Sequence, residues 1–169
     1  MSFRLNKVKE QLGKEKRMST EKSDVENLTI LGGKAQPSKT MEAFPNRTPG
    51  RFYLVSLHTT EFTCLCPKTG QPDFATIHVD YVPDQKVVES KSYKLYLWSY
   101  RNEGAFHEHV VNLILDDLVK LLDPHWMRVT GEFNIRGGIG IKVEAEHTRT
   151  PEARQQWLNR RFEDSTSQE

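Results

Sequence analysis

The sequence predicts an α+β layer in which two helices cover one face of an antiparallel sheet. Three observations lead there. The runs Phe52-Tyr-Leu-Val-Ser-Leu57 and Ala75-Thr-Ile-His-Val-Asp-Tyr-Val82 are dense in β-branched and aromatic residues. The segment Phe106 to Leu122 repeats its apolar residues with a helical period. Two further extended runs flank a glycine pair at Arg136-Gly-Gly138, a hairpin signal.

Residues 1–40 are polar, rich in Lys, Glu and Ser, and poor in large apolar side chains. Such a segment buries too little surface to offset its ordering entropy and is expected to be disordered. It is basic without being acid-poor, which argues against a transit peptide. Met18-Ser-Thr reads as a second possible start, making the first 17 residues dispensable. Residues 41–150 form the folded domain. Its first two strands are Phe52 to Leu57 and Ala75 to Val82, separated by a Pro/Gly-punctuated loop from Cys66 to Asp73. Tyr93 to Tyr100 fits two periods: Tyr93, Tyr96, Leu97 and Tyr100 follow i, i+3, i+4, i+7, while Tyr93, Leu95 and Leu97 alternate. It is read as a helix. In Phe106 to Leu122, residues Val110, Val111, Ile114, Leu118, Leu121 and Leu122 line one face, and Asp123-Pro124 ends the helix. His125 to Phe133 and Ile139 to Glu146 supply the last two strands. The tail, 151–169, allows a short helix through Trp157 and Phe162.

Composition narrows the function. At 169 residues the chain is long enough for one domain with a real core. A net charge of +1 carries no signature of nucleic-acid or membrane binding. No apolar run approaches the roughly 18 residues needed to span a bilayer, and no signal-peptide core is present. Two cysteines at i, i+2 do not form a disulfide framework. These features lead us to expect a cytoplasmic protein that binds neither nucleic acid nor membrane.

The chemistry concentrates in three runs. Cys66-Pro-Lys-Thr-Gly-Gln-Pro-Asp73 offers one nucleophile and one carboxyl group. Glu89-Ser-Lys-Ser-Tyr-Lys94 puts a carboxylate, hydroxyls and two ammonium groups within six residues. His107-Glu108 adds an imidazole and a second acid. Each also has a plainer reading: a buried thiol, a solvated helix start and an ordinary helix N-terminal turn, where Glu108 suits the positive end of the dipole.

Taken together, these motifs, over about Glu42 to Glu146, resemble the nitrile reductases that convert 7-cyano-7-deazaguanine to its aminomethyl form in queuosine biosynthesis. The resemblance implies the tunnelling fold, a four-stranded antiparallel sheet with two helices on one face, whose subunits close into a barrel. It also supports the helix at Tyr93 to Tyr100. It further implies a homo-oligomer with active sites at subunit interfaces. Cys66 stands where the family's nucleophile stands, and Asp73 matches its proton donor. Val88, Glu89, Ser90, His107 and Glu108 match substrate-binding positions, and His107 is also a candidate proton relay. Cys64 falls outside the matched position and is read as packing.

A thiolate adds to a nitrile carbon to give a thioimide, a far better hydride acceptor. A thiol of ordinary pKa, ~8.5, is only a few per cent ionised at pH 7, so the site must favour the anion or take the proton on attack. Asp73 needs burial or a neighbouring carboxylate to act as an acid at that pH. The resemblance implies NADPH as cofactor, with Lys91, Lys94 and Arg136 as candidates for its phosphates. Gly137-Gly-Ile-Gly140 lacks dinucleotide-fingerprint spacing. Zinc, used by other tunnelling-fold enzymes acting on pterins and GTP, would need Cys64, Cys66, His107 and His109 to converge, and the two histidines point to different sides of a helix. No metal is expected. The alternatives are another purine or pterin enzyme such as a cyclohydrolase, and a non-catalytic purine-binding scaffold.

Overall fold

The computed structural model describes residues 35–152 together with Gln155 and Asn159. The expectations for residues 1–17 and for a helix through Trp157 and Phe162 lie outside these residues. The elements run β1 (Ala43–Pro45), β2 (Val55–Leu65), β3 (Pro72–Val82), β4 (Lys86–Val88), α1 (Ser90–Trp98), a 3₁₀ turn (Ser99–Asn102), α2 (His107–Leu122), β5 (Trp126–Arg136) and β6 (Ile139–Thr148). Strands β2, β3, β5 and β6 form one antiparallel sheet in that order. The α+β layer with a four-stranded sheet is as predicted.

The strands are longer than the sequence pattern indicated. β2 begins at Val55 and runs on to Leu65, and β3 starts at Pro72. Asp73 is therefore a strand residue opposite Cys64 rather than part of a loop. The cause is local. Cys66 N–H donates to Gln71 C=O at 2.8 Å and Gly70 N–H donates to Cys66 C=O at 2.9 Å, with Gly70 at φ 68°. This closes the turn within six residues and lets pairing resume at Leu65–Pro72.

A second, two-stranded sheet, β1 with β4, has no clear signature in the sequence, since each strand is only three residues long. It fixes the approach to α1: Glu89 N–H donates to Glu42 C=O at 2.8 Å, and Val88 N–H donates to the buried Tyr81 hydroxyl at 3.2 Å. Lys39 extends this edge by pairing with Glu103 at 2.7 Å over the Tyr100 ring.

The core lies between the sheet and the helices. Phe62, Ile77, Val79, Met127 and Val129 face Tyr96, Val110, Val111, Ile114 and Leu118, all essentially inaccessible to solvent. Their period of two in the strands and 3.6 in α2 brings the apolar sides together. Leu121 is only half-buried, and Leu115 takes a place in the core instead. Helix α2 ends at Asp123, in the left-handed region at φ 45°, which Asp tolerates better than most residues. Arg149 then ties the end of β6 to Asp123 at 2.9 Å and Asp84 at 2.7 Å.

Gly131, on β5 beneath α2, lets the helix approach the sheet. A Cβ there would lie 2.6 Å from Val111 Cγ2 and 3.1 Å from Phe133 Cε2. Both neighbours are buried, so Gly131→Ala is expected to lower unfolding free energy by roughly 1–3 kcal/mol through overpacking. Urea titration measures this directly, and an unchanged midpoint would show that α2 has slack over the strand.

Candidate active site

A pocket of about 310 Å³ opens at the ends of β2 and β3. Its wall includes Cys66, Asp73, His107, Glu108 and Arg136, with Phe106 and Ile139 at its apolar side. The four elements that carry these residues are clipped together. Leu65 N–H donates to Glu103 C=O and Ala105 N–H donates to Leu65 C=O, both at 2.9 Å, forming a parallel bridge between Leu65 and Gly104. A Cβ on Gly104 would meet Pro67 Cα at 3.0 Å, so the segment leading into α2 lies directly against the cysteine turn. His107 and Glu108 then emerge in the first turn of α2, next to Cys66.

The Cys66 thiol is pulled down from 9.0 to about 7, chiefly by a hydrogen bond from the Thr69 hydroxyl, then by the backbone N–H groups of Thr69 and Lys68 and by Arg136. At neutral pH roughly half of it is thiolate. Cys64, two residues earlier, is fully buried and pushed up to about 11 by desolvation and by the nearby Asp73 carboxylate. The two thiols thus differ in kind: Cys66 is acidified at the pocket wall, and Cys64 is packed in the core.

Asp73 is only 6% exposed. Its Oδ1 accepts a hydrogen bond from Arg136 Nη1, and its Oδ2 lies 3.4 Å from His107 Nε2. The buried acid therefore has a guanidinium and an imidazole as neighbours. His107 is stacked on Phe133, with ring centroids 3.8 Å apart and planes within 9°. This fixes the ring edge toward Asp73. His109, by contrast, is exposed against Phe106. Among the described residues, no group of three or more His, Cys, Asp and Glu side chains is arranged to hold a metal ion.

The second run lies elsewhere in the protomer. Glu89 caps α1, accepting from the N–H groups of Lys91 at 2.8 Å and Ser92 at 2.7 Å, and these bonds hold its carboxyl below the usual range. Ser90 and Lys94 line a groove of about 1050 Å³ between α1 and β2, with Phe74, Trp98 and Arg101. Val88 is buried in β4, and Lys91 is exposed on α1. None of Val88, Glu89, Ser90, Lys91 and Lys94 lines the Cys66 pocket. Of the three cofactor candidates, Arg136 alone is there. Sequence reasoning overlooked Thr69, Gln71 and Phe133. The first two sit inside the cysteine turn and were legible as polar turn residues. Phe133 depends on β5 passing beneath the start of α2, which no local pattern reports.

The chain has clear relatives. A family model described as QueF-like protein matches residues 72–152. The solved apo structure of the archaeosine synthase QueF-Like superposes with a TM-score of 0.54 at 26% identity, covering 58% of this chain and 96% of that one. Fold and site together define a tunnelling-fold protein built around an acidic cysteine and a buried carboxylate. The NADPH-dependent 7-cyano-7-deazaguanine reductase of Syntrophus aciditrophicus (strain SB) is 60% identical over 129 residues, covering 76% of this chain and 92% of the relative. The enzyme of the same name from Thermomicrobium roseum (strain ATCC 27502 / DSM 5159 / P-2) is 61% identical over 117 residues, covering 69% and 91%. The chain belongs to the family of the NADPH-dependent 7-cyano-7-deazaguanine reductases.

Proposed function

We propose that this chain reduces the nitrile of 7-cyano-7-deazaguanine to the aminomethyl group with NADPH, through a thioimide on Cys66, as a step toward queuosine in tRNA. The observation that carries this reading is the Cys66 thiol, acidified to about 7 and sharing a pocket with buried Asp73. A binding module has no use for a nucleophile so prepared.

Cys66 Sγ adds to the nitrile carbon: an S–C bond forms, one C–N π bond breaks, and the thiol's proton passes by way of the Asp73 carboxylate to the nitrogen. No atom is lost, and the product is a thioimide. NADPH, when bound, supplies the hydride for each of the two reductions. Cys66 leaves as thiolate after the first, producing an imine that remains in the pocket for the second. Two hydrides and two protons convert one nitrile to the neutral amine. His107, 3.4 Å from Asp73, is placed to return protons to the acid between steps. Glu108 accepts from the paired N–H groups along the guanine-like edge of the ring, the fork geometry a carboxylate also uses with arginine. The pocket volume is at the low end for a small-molecule site and suits one bicyclic ring better than a ring with a whole dinucleotide. For the cofactor, the groove along α1 offers the right donors: Lys94 and Arg101 for phosphates, Trp98 and Phe74 as flat apolar faces.

Val88, Glu89 and Ser90 reach a substrate only if a second copy presents them to the Cys66 pocket. The homo-oligomer with interfacial sites is therefore part of this proposal. In its support, β2 and β6 each have one strand neighbour among the described residues, leaving both sheet edges available.

The test mixes purified protein, 7-cyano-7-deazaguanine and NADPH and follows absorbance of the reduced nicotinamide. Two cofactors consumed per nitrile are expected. Tight binding without consumption would favour the scaffold reading. Glu108→Gln is expected to weaken nitrile binding by roughly ten- to a hundredfold, about 1–3 kcal/mol, because its NH₂ would face a ring donor. Calorimetry that found unchanged affinity would reduce Glu108 to a helix-terminal charge.

A further inference from the structure

Arg136 joins two groups of the site and faces a third. Its Nη1–H donates to Asp73 Oδ1, its Nη2–H donates to Gln71 Oε1 at 2.9 Å, and it lines the same pocket as Cys66, whose thiol it helps to acidify. The backbone brings it there by a bulge. Between the pairs Phe133–Ile141 and Arg136–Ile139, β5 carries two residues, Asn134 and Ile135, where β6 carries only Gly140. An extra residue of this kind twists the strand and re-aims the side chain that follows. The turn then closes through Gly137 and Gly138 at φ 60° and 79°, a conformation that glycine adopts without strain.

The cluster needs this cation. A carboxylate as buried as Asp73 has given up most of its hydration and requires a charged partner. Left unpaired, it would also oppose a negative sulfur beside it, as it already does at Cys64. The other groups facing Cys66 are Thr69 and the Lys68 N–H from the turn, His107 and Glu108 from α2, and Asp73 from β3. None of these side chains is a permanent cation as Arg136 is, and its planar fork serves Asp73 and Gln71 together where a single ammonium would not.

We propose that Arg136 is a positioning residue for the reduction, its single positive charge shared between the Cys66 sulfur and the Asp73 carboxylate so that a thiolate forms beside a buried carboxylate. This rests on the reading of Cys66 as the nucleophile. It moves Arg136 from the cofactor's phosphates to the reacting end of the site.

The test uses the full chain without nitrile or cofactor and measures the rate of iodoacetamide alkylation against pH, with peptide mapping to assign the product to Cys66. The wild-type rate is expected to inflect near pH 7. For R136Q the inflection moves upward and the rate at pH 7 falls about fivefold, the change expected when an opposite charge worth about one pH unit is lost. D73N frees the guanidinium for the sulfur and is expected to speed alkylation at pH 6 by about fivefold; it serves as the second measurement if R136Q fails to fold. An unchanged inflection in either folded variant would overturn the proposal. R136Q with an unchanged inflection and a raised KM for NADPH would return Arg136 to the phosphates. Because alkylation is read independently of turnover, a protein that shows both shifts yet consumes no NADPH would fault the functional reading and leave the cluster standing.

Discussion

Replacing Cys66 by alanine is expected to abolish both the covalent adduct and the reduction, whereas Cys64→Ala should leave both in place. The two thiols are two residues apart and chemically unlike. Cys66 opens the turn, borders the pocket and is half-ionised at neutral pH; Cys64 points into the core opposite Asp73 and stays protonated. Without the sulfur no thioimide forms, and a bare nitrile is a poor hydride acceptor, so the loss should reach the limit of detection. Wild-type protein incubated with the nitrile and no NADPH should gain one substrate mass per subunit, since addition loses no atoms. Intact mass spectrometry with peptide mapping reads this directly. An adduct on Cys64, or normal turnover with none at all, would sink the mechanism.

The second large effect is expected at the acid. Asp73→Asn should retain substrate binding but slow reduction by about 10²–10⁴-fold, the usual contribution of a positioned general acid. The amide keeps the shape and cannot deliver a proton to the nitrogen. It also removes the charge that pairs with Arg136, so thiol reactivity and turnover should move in opposite directions: faster alkylation, slower reduction. That divergence separates a lost proton donor from a damaged pocket, in which both would decline. Single-turnover rates between pH 6 and 8 provide the check, and near wild-type rates across that range would take Asp73 out of the mechanism.

Much of this was written in the sequence because the informative patterns are local. The apolar face of α2 and the β-branched runs needed only a period and a length, and the cysteine turn carried its proline and glycine on view. Glu89 was visible as a helix start, and it is one: its carboxylate caps α1. What the sequence did not convey is set by contacts between distant segments. The β1–β4 pair is too short to have a period, so nothing distinguished it from coil. The role of Arg136 depends on a bulge, which shows only once the β5–β6 register is known. Asp73 looked like a loop residue because Pro72 is a poor strand signal, yet Pro72 begins the strand, opposite Leu65. The placement of Val88 to Ser90 away from the pocket also could not be read from spacing, because linear distance does not say which side of α1 faces the thiol.

The manner in which the cysteine turn is held has a consequence for the newly made chain. Thr69, the strongest influence on the thiol, is three positions from it and is present as soon as the turn forms. Arg136 is bonded to an acid 63 residues away, and the strand next to Gly104 cannot be clipped until the chain has continued well beyond it. Contacts of such sequence separation form late, because the intervening loop must first be closed. A ribosome-bound or partly folded chain therefore carries a thiol only partly activated, without its guanidinium and without the wall that holds a ligand. Full acidification of the Cys66 thiol is therefore expected only with the finished fold.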